Sequence, residues 1–267
     1  MKKRKMVGLA LGSGGVRGLV HIGVIKTLLA HQIPIDMIAG TSAGSVIGGV
    51  FAALGDINKV EAIVEAFGYR DLAWILTDAA FSSGVIKGQR AIEFLAHYIG
   101  KRTIESLSLP FAAVATNVAS GEPVIIKHGD LINAVRASSS VPLLFQPMKI
   151  DNSYLMDGGI SLPVPASVVR GMGADIVIAV NCDAYLVNKE SNQPQKQPSS
   201  ISVAWSTINS LRYSLAKENS KYADIIIEPR VTPKNITESV HGGPTIQLGI
   251  DETEKKIDAI KRLLALK

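Results

Sequence analysis

Two glycine-rich turns near the start of the chain limit its possible folds more than any other feature. "GSGGVRG" (12–18) follows a short apolar run, 6–11, and "GTSAG" (40–44) follows a second one, 35–39. Short runs that are apolar throughout are expected of strands buried on both faces. Behind the first turn, Val20, Val24, Leu28, Ile25 and Leu29 fall at helical spacing, which predicts a helix over 16–30. Behind the second, 42–54 is small and apolar all round, the pattern of a buried helix. Strand, helix, strand, helix with short joints is a βαβ unit and so a parallel sheet. A right-handed crossover then brings both turns to one edge of that sheet.

A glycine turn between strand and helix suits an anion, and two kinds compete. A dinucleotide site needs G-x-G-x-x-G and an acidic residue closing the second strand. Here the third glycine position counted from Gly12 is Arg17, and "GTSAG" stands where the acid should be. The oxyanion of an acyl transfer fits instead. Gly40-Thr41-Ser42-Ala43-Gly44 is GxSxG, a sharp turn that presents a serine hydroxyl at a helix N-terminus. Ser42 is the candidate nucleophile. The backbone N–H groups of Gly14 and Gly15 are candidate donors to the oxygen of the carbonyl it attacks.

The residues alone leave the base open. His21, His31 and His97 fall on helices and His128 follows a strand, whereas His241 in "SVHGGP" is a loop histidine late enough for a Ser…Asp…His order. Asp157 in "YLMDGG" competes with it, directly after a strand expected over 153–156. An unperturbed aspartate, with a pKa near ~3.9, is a poor base for a serine, although burial beside Ser42 would raise it. D-G-G is equally a type I′ hairpin signature, and the motif taken alone favours that turn.

Further strands are expected over 111–116, 124–127, 175–180 and 224–228. Helices are expected over 59–67, 88–99, 131–138, 166–172, 201–215 and 247–264, all within one α/β domain of 267 residues. The helix over 201–215 repeats Trp205, Ile208, Leu211 and Leu215 as its apolar positions. The polar segment "VNKESNQPQKQPSS" (187–200) reads as a mobile loop, placed to act as a flap if 175–180 is a parallel strand. Apolar stretches 72–76 and 94–99 suit an acyl groove, with core packing the simpler role for most of them.

One cysteine, Cys182, excludes an intramolecular disulfide, and no metal-ligand spacing occurs, so no metal or cofactor is expected. The run behind "MKKRKM" is too short for a signal peptide, and no apolar run approaches the ~20 residues of a membrane span. A cytoplasmic protein is expected. A net charge of +5, a pI near 9.2 and no acidic residue before Asp36 favour contact with anionic surfaces, including the inner face of a membrane. With 5% aromatic residues and no basic run interleaved with them, nucleic-acid binding is not expected. The pattern leaves the oligomeric state open.

"GSGGVRG", "GTSAG" and "DGG", in that order, resemble the motifs of the patatin-like phospholipases, especially short bacterial members. "RASSSVPLLFQP" (136–147) resembles the family's stretch between elbow and aspartate, and the likeness covers 7–180. The resemblance implies a three-layer α/β/α fold with a mainly parallel sheet and a Ser–Asp dyad without histidine. Carried over, Ser42 is the nucleophile, Asp157 its activator, Gly14 and Gly15 the oxyanion hole, and Arg17 a support for that loop or for the substrate's charge. Ser13 replaces the first of three glycines the family often has there, and "DGG" stands for "DGA". The implied substrate is a fatty acyl ester such as a phospholipid or lysophospholipid. Two other readings stay open: a Ser–Asp–His hydrolase using His241 with Asp157 or Asp224, and a binding module that keeps the fold without turnover.

Overall fold

The structure is a computed structural model that describes residues 4–78, 86–184, 197–231 and 242–265. In chain order its elements are β1 (Val7–Leu11), a 3-10 turn (Gly15–Leu19), α1 (Val20–Ala30), β2 (Met37–Thr41), α2 (Ala43–Leu54), α3 (Ile57–Ala66) and α4 (Tyr69–Leu76). Next come α5 (Gln89–Ile99), β3 (Phe111–Asn117), β4 (Pro123–Ile126), α6 (Leu131–Ser138), β5 (Met148–Ile150) and β6 (Ser153–Asp157). The last are α7 (Ala166–Gly171), β7 (Ile176–Val180), α8 (Ser200–Asn219), β8 (Ile225–Ile227) and α9 (Gly243–Leu264).

The strands form one sheet: β3, β2, β1, β7 and β8 lie side by side in that order, β6 with β5 beyond it pairs with β3 end-on to β2, and β4 pairs with the other edge of β3. β3, β2, β1, β7 and β8 run parallel, and β4 and β6 run antiparallel to β3. The arrangement is the expected three-layer α/β/α fold. Alternation along the strands explains the layers. Val7, Leu9, Leu11, Ile176, Ile178 and Val180 face the core shared with α1, α2, α6 and α9. Ala10, Ala39, Ala112, Val177 and Ala179 face α7 and α8, where small side chains let those helices approach closely. On the larger side, a Cβ at Gly23 of α1 or at Gly249 of α9 would overlap the partner helix's backbone, so the two helices meet nearly backbone to backbone.

The expected first helix divides into the 3-10 turn and α1, because the glycine loop needs its own curvature before the helix can start. Neither α4 nor β5 is anticipated from sequence; at eight and three residues each is too short to carry a clear period. Of the expected apolar positions of α8, Trp205, Ile208 and Leu215 are half-buried and one needs correction. Leu211 is 61% exposed, and the helix faces the sheet through Arg212 and Ala216 instead. Phe94 packs edge-on against Phe67 and tilted against Tyr98, an aromatic cluster among α3 and α5. The expected mobile loop lies outside the described residues through position 196, and Ser200 opens α8 with Ser199 as its cap. His241 also lies outside them. Among the described residues no helix is long and apolar enough to cross a membrane.

Candidate active site

The sheet register brings Ser42 and Asp157 together. β2 runs along β3 from Ile38 opposite Phe111 to Thr41 opposite Val114. β6 runs the other way along the same edge, from Leu155 opposite Asn117 to Asp157 opposite Ala115. β4 occupies the other edge, pairing Ile125 with Val114 and Val124 with Ala115. Two strands therefore point at each other and stop at adjacent positions of β3, so the residue after β2 meets the last residue of β6. Ser42 Oγ donates to Asp157 Oδ2 at 2.6 Å, with both residues buried.

Ser42 sits on a bend that few residues tolerate, at φ 53° and ψ −121°. Such a conformation costs on the order of 1–3 kcal/mol and persists only where its surroundings impose it. Gly40 and Gly44 make the bend possible. A Cβ on Gly40 would lie 2.6 Å from Ser45 Cα, and one on Gly44 would overlap the Leu11 carbonyl. The Ser42 amide donates to Ser138 Oγ at 2.9 Å, and that hydroxyl donates to Val114 O at 2.5 Å. Ser45 Oγ donates to Ser42 O at 2.7 Å. The elbow is held at its amide and its carbonyl.

Asp157 is fixed as tightly. Its Oδ1 accepts from the Gly159 amide at 2.7 Å, its own amide donates to Ser140 O at 2.9 Å, and its carbonyl accepts from Thr116 Oγ1 at 2.9 Å. "DGG" is not a hairpin turn here; it opens a 3-10 turn, Gly158–Ile160, that leads on to α7. Burial raises the carboxyl above the ordinary aspartate range, against the opposing pull of the Ser42 hydrogen bond and the Arg212 charge.

The glycine loop leaves β1 on the same edge. Gly12 N donates to Val180 O, Ser13 N to Pro163 O and Arg17 N to Gly14 O, whereas the amides of Gly14 and Gly15 find no acceptor among the described residues. Arg17 Nη2 reaches Asp183 Oδ1 at 3.0 Å and its Nε donates to Gly14 O at 3.2 Å. Burial lowers the Arg17 pKa. Beneath the loop His21 is fully buried, with Nε2 2.8 Å from Gly12 O. That contact requires the proton on Nε2, and burial pushes the imidazole pKa down to about 4.

A histidine whose folded pKa is depressed resists a proton that the unfolded chain accepts. Its contribution to stability is therefore present above about pH 6.5 and lost as pH falls toward about 4, roughly 3 kcal/mol in all. His21→Gln, whose amide can still donate to Gly12 O, is expected to flatten the acid side of the stability curve in urea unfolding between pH 7 and 4.5.

Two other described candidates, His31 and Asp224, stand elsewhere. His31 Nε2 meets Glu254 at 3.0 Å. Asp224 precedes β8 and accepts from Arg170 Nη2 at 2.6 Å and Val177 N at 2.7 Å, at the opposite edge of the sheet from Ser42. It cannot orient a base there. Among the described residues no cluster of His, Cys, Asp and Glu could hold a metal ion.

Residues 9–170 match the sequence profile described as patatin-like phospholipase, more than half of the chain. The chain belongs to the patatin-like phospholipase family. An NTE family protein of Mycobacterium tuberculosis is 37% identical over 175 residues, covering 66% of this chain and 48% of that protein. The lysophospholipase nte1 of Aspergillus fumigatus is 33% identical over 218 residues, covering 77% of this chain and 13% of that one. This chain thus spans about half the length of the mycobacterial relative. VipD from Legionella pneumophila shares the fold, with a TM-score of 0.58 at 13% identity over 97% of this chain and 67% of its own.

Ser42, Asp157, Gly14, Gly15 and Arg17 all fall inside the segment matching the patatin-like family, 9–170. Asp183 and Arg212 lie beyond it, and sequence reasoning missed both. Ser138 and Ser140, within "RASSSVPLLFQP", fix the elbow amide and the Asp157 amide, roles that the sequence pattern does not signal. A signal for Asp183 was present, since it follows β7 at the edge where both glycine turns leave the sheet. None existed for Arg212, an arginine on a helix whose apolar spacing points elsewhere.

Proposed function

We propose that this patatin-like protein is a serine carboxylic ester hydrolase that cleaves fatty acyl esters with Ser42 and Asp157. The observation that carries this is the 2.6 Å hydrogen bond from Ser42 Oγ to Asp157 Oδ2 in a buried site. Asp157 accepts the hydroxyl proton as Ser42 Oγ bonds to the ester carbonyl carbon. Negative charge on the former carbonyl oxygen is met by the amides of Gly14 and Gly15, with Arg17 supporting their loop. The tetrahedral intermediate expels the alcohol, which takes the proton from Asp157. Water, deprotonated by the same carboxylate, then attacks the acyl carbon; the fatty acid leaves and Asp157 returns the proton to Ser42 Oγ. Phospholipid or lysophospholipid is the favoured substrate, in keeping with the name of the fungal relative. Contact with an anionic membrane face from the cytoplasmic side suits the net charge of +5.

The test is lipid profiling with purified wild-type and Ser42→Ala protein, beside labelling by a fluorophosphonate probe. Fatty acid release and labelling at Ser42 are expected of the first protein alone; lipid binding without labelling would identify a binding module instead. The reaction needs the ionised carboxylate, and burial raises its pKa. The acid limb of kcat/KM is therefore expected above the ordinary aspartate range, with activity lost as pH falls through it. A limb at ~3.9 would remove Asp157 as base.

A further inference from the structure

The last third of the chain reaches the candidate site through Asp183 and Arg212, to which the reaction as proposed gives no part. Asp183, only 1% exposed, accepts from Ser13 Oγ at 2.7 Å, from Arg17 Nη2 at 3.0 Å, and from Arg212 Nη2 at 2.8 and 3.0 Å through its two oxygens. Arg212 Nη2 also donates to Ser13 Oγ at 2.9 Å. Its Nε is buried without a partner and lies 3.2 Å from where a Cβ on Gly159 would stand, against the turn that carries Asp157.

We infer that Ser13, Asp183 and Arg212 form a clasp that positions the glycine loop against the Ser42–Asp157 pair. The inference rests on the hydrolase reading above. Gly14 and Gly15 lie between two anchored residues. Ser13 is held by its amide to Pro163 O and by its hydroxyl to Asp183, and Arg17 is held by Asp183 and by Gly14 O. The direction of the Gly14 amide is set by the peptide plane it shares with Ser13, so fixing Ser13 aims that donor. Arg212 binds Ser13 and Asp183 and lies against the Gly159 turn, so it sits between the glycine loop and the turn that follows Asp157. A glycine at position 13 would supply the backbone donors but no hydroxyl for the carboxylate and the guanidinium. Serine there is an added contact, made with residues outside the segment matching the family. Buried ion clusters are poor sources of stability but good devices for fixing one arrangement.

The test uses Ser13→Ala and Arg212→Lys, each of which alters one member of the cluster while Arg17 still pairs with Asp183. Three quantities are measured on the full chain: deuterium uptake of the loop peptide 12–19, kcat and KM on a soluble p-nitrophenyl ester, and inhibition by a trifluoromethyl ketone whose adduct carries the oxyanion. Faster loop exchange is expected, with kcat lower by between about 10- and 100-fold, KM changed less than about twofold, and the ketone weakened by the same factor as kcat/KM. The double variant is expected to be no worse than the poorer single one, because both act on one cluster. Unchanged loop exchange in both variants overturns the clasp whatever the chemistry. Faster exchange with unchanged kcat and ketone affinity overturns the positioning role and leaves a structural one. Wild-type protein that never labels with fluorophosphonate overturns the hydrolase reading itself, a result separate from either. Should Ser13→Ala not fold, Ser13→Gly is judged by the same three measurements.

Discussion

Asp157→Asn is expected to lower kcat on a soluble ester by about 10²–10⁴-fold while making the protein more stable at neutral pH. An asparagine can keep the bond from the Gly159 amide through its Oδ1, so the turn keeps its shape. Its Nδ2 can donate to Ser42 Oγ but cannot accept the hydroxyl proton, so the base is lost. The stability gain follows from linkage. Burial raises the carboxyl pKa in the folded state above its unfolded value. The fold therefore favours the protonated acid, an advantage present below the unfolded pKa and lost as pH rises through the folded one. At pH 7–8 the ionised carboxylate is a liability that asparagine does not carry. A gain of about 0.5–2 kcal/mol in urea unfolding is expected at pH 7.5, shrinking toward pH 4. His241→Ala is expected to leave kcat unchanged. Ester turnover surviving Asp157→Asn but abolished in His241→Ala would transfer the base to His241, and an equal loss of stability at both pH values would contradict the burial argument.

The meeting of Ser42 and Asp157 was partly legible in sequence because each follows an expected strand, where a sheet edge must lie. Ser42 and the glycine loop needed only the βαβ rule, since both leave parallel neighbours in the same direction. Asp157 was harder. D-G-G alone favoured a hairpin, and only the order of three motifs, as in the patatin-like family, argued otherwise. What local pattern could not supply was the head-on meeting of β2 and β6 along one edge of β3, because pairing between residues 38–41 and 155–157 through a third strand is a long-range fact. Arg212 was illegible for a related reason. The repeat Trp205, Ile208, Leu211, Leu215 described an apolar stripe, yet Leu211 is exposed while its neighbour Arg212 turns inward to the buried Asp183, a partner that local spacing cannot reveal.

The same geometry leaves no room for a side chain at Gly44. A Cβ there would overlap the Leu11 carbonyl oxygen, lying 2.5 Å from Leu11 C and 2.7 Å from Gly12 O. These are backbone atoms of β1 and of the glycine loop, and neither can swing aside as a side-chain tip would. Gly44→Ala must therefore push the start of α2 away from the end of β1. That displacement moves Ser42 relative to both Asp157 and the loop amides. Misplacement by an ångström costs about 10²-fold in rate, so kcat is expected to fall by at least about that factor. Overpacking of this kind costs typically 1–3 kcal/mol, which for a chain of this size lowers Tm by roughly 2–12 °C. Gly171→Ala makes the control, since a Cβ at the end of α7 would meet nothing within 4 Å. It is expected to match wild type in kcat and to equal or slightly exceed it in Tm. Measured together by ester kinetics and thermal unfolding, the two variants separate a methyl group added to the chain from a methyl group added between β1 and the elbow. A Gly44→Ala protein with wild-type kcat would mean that the strand, the loop and the helix do not close on one another as the fold requires.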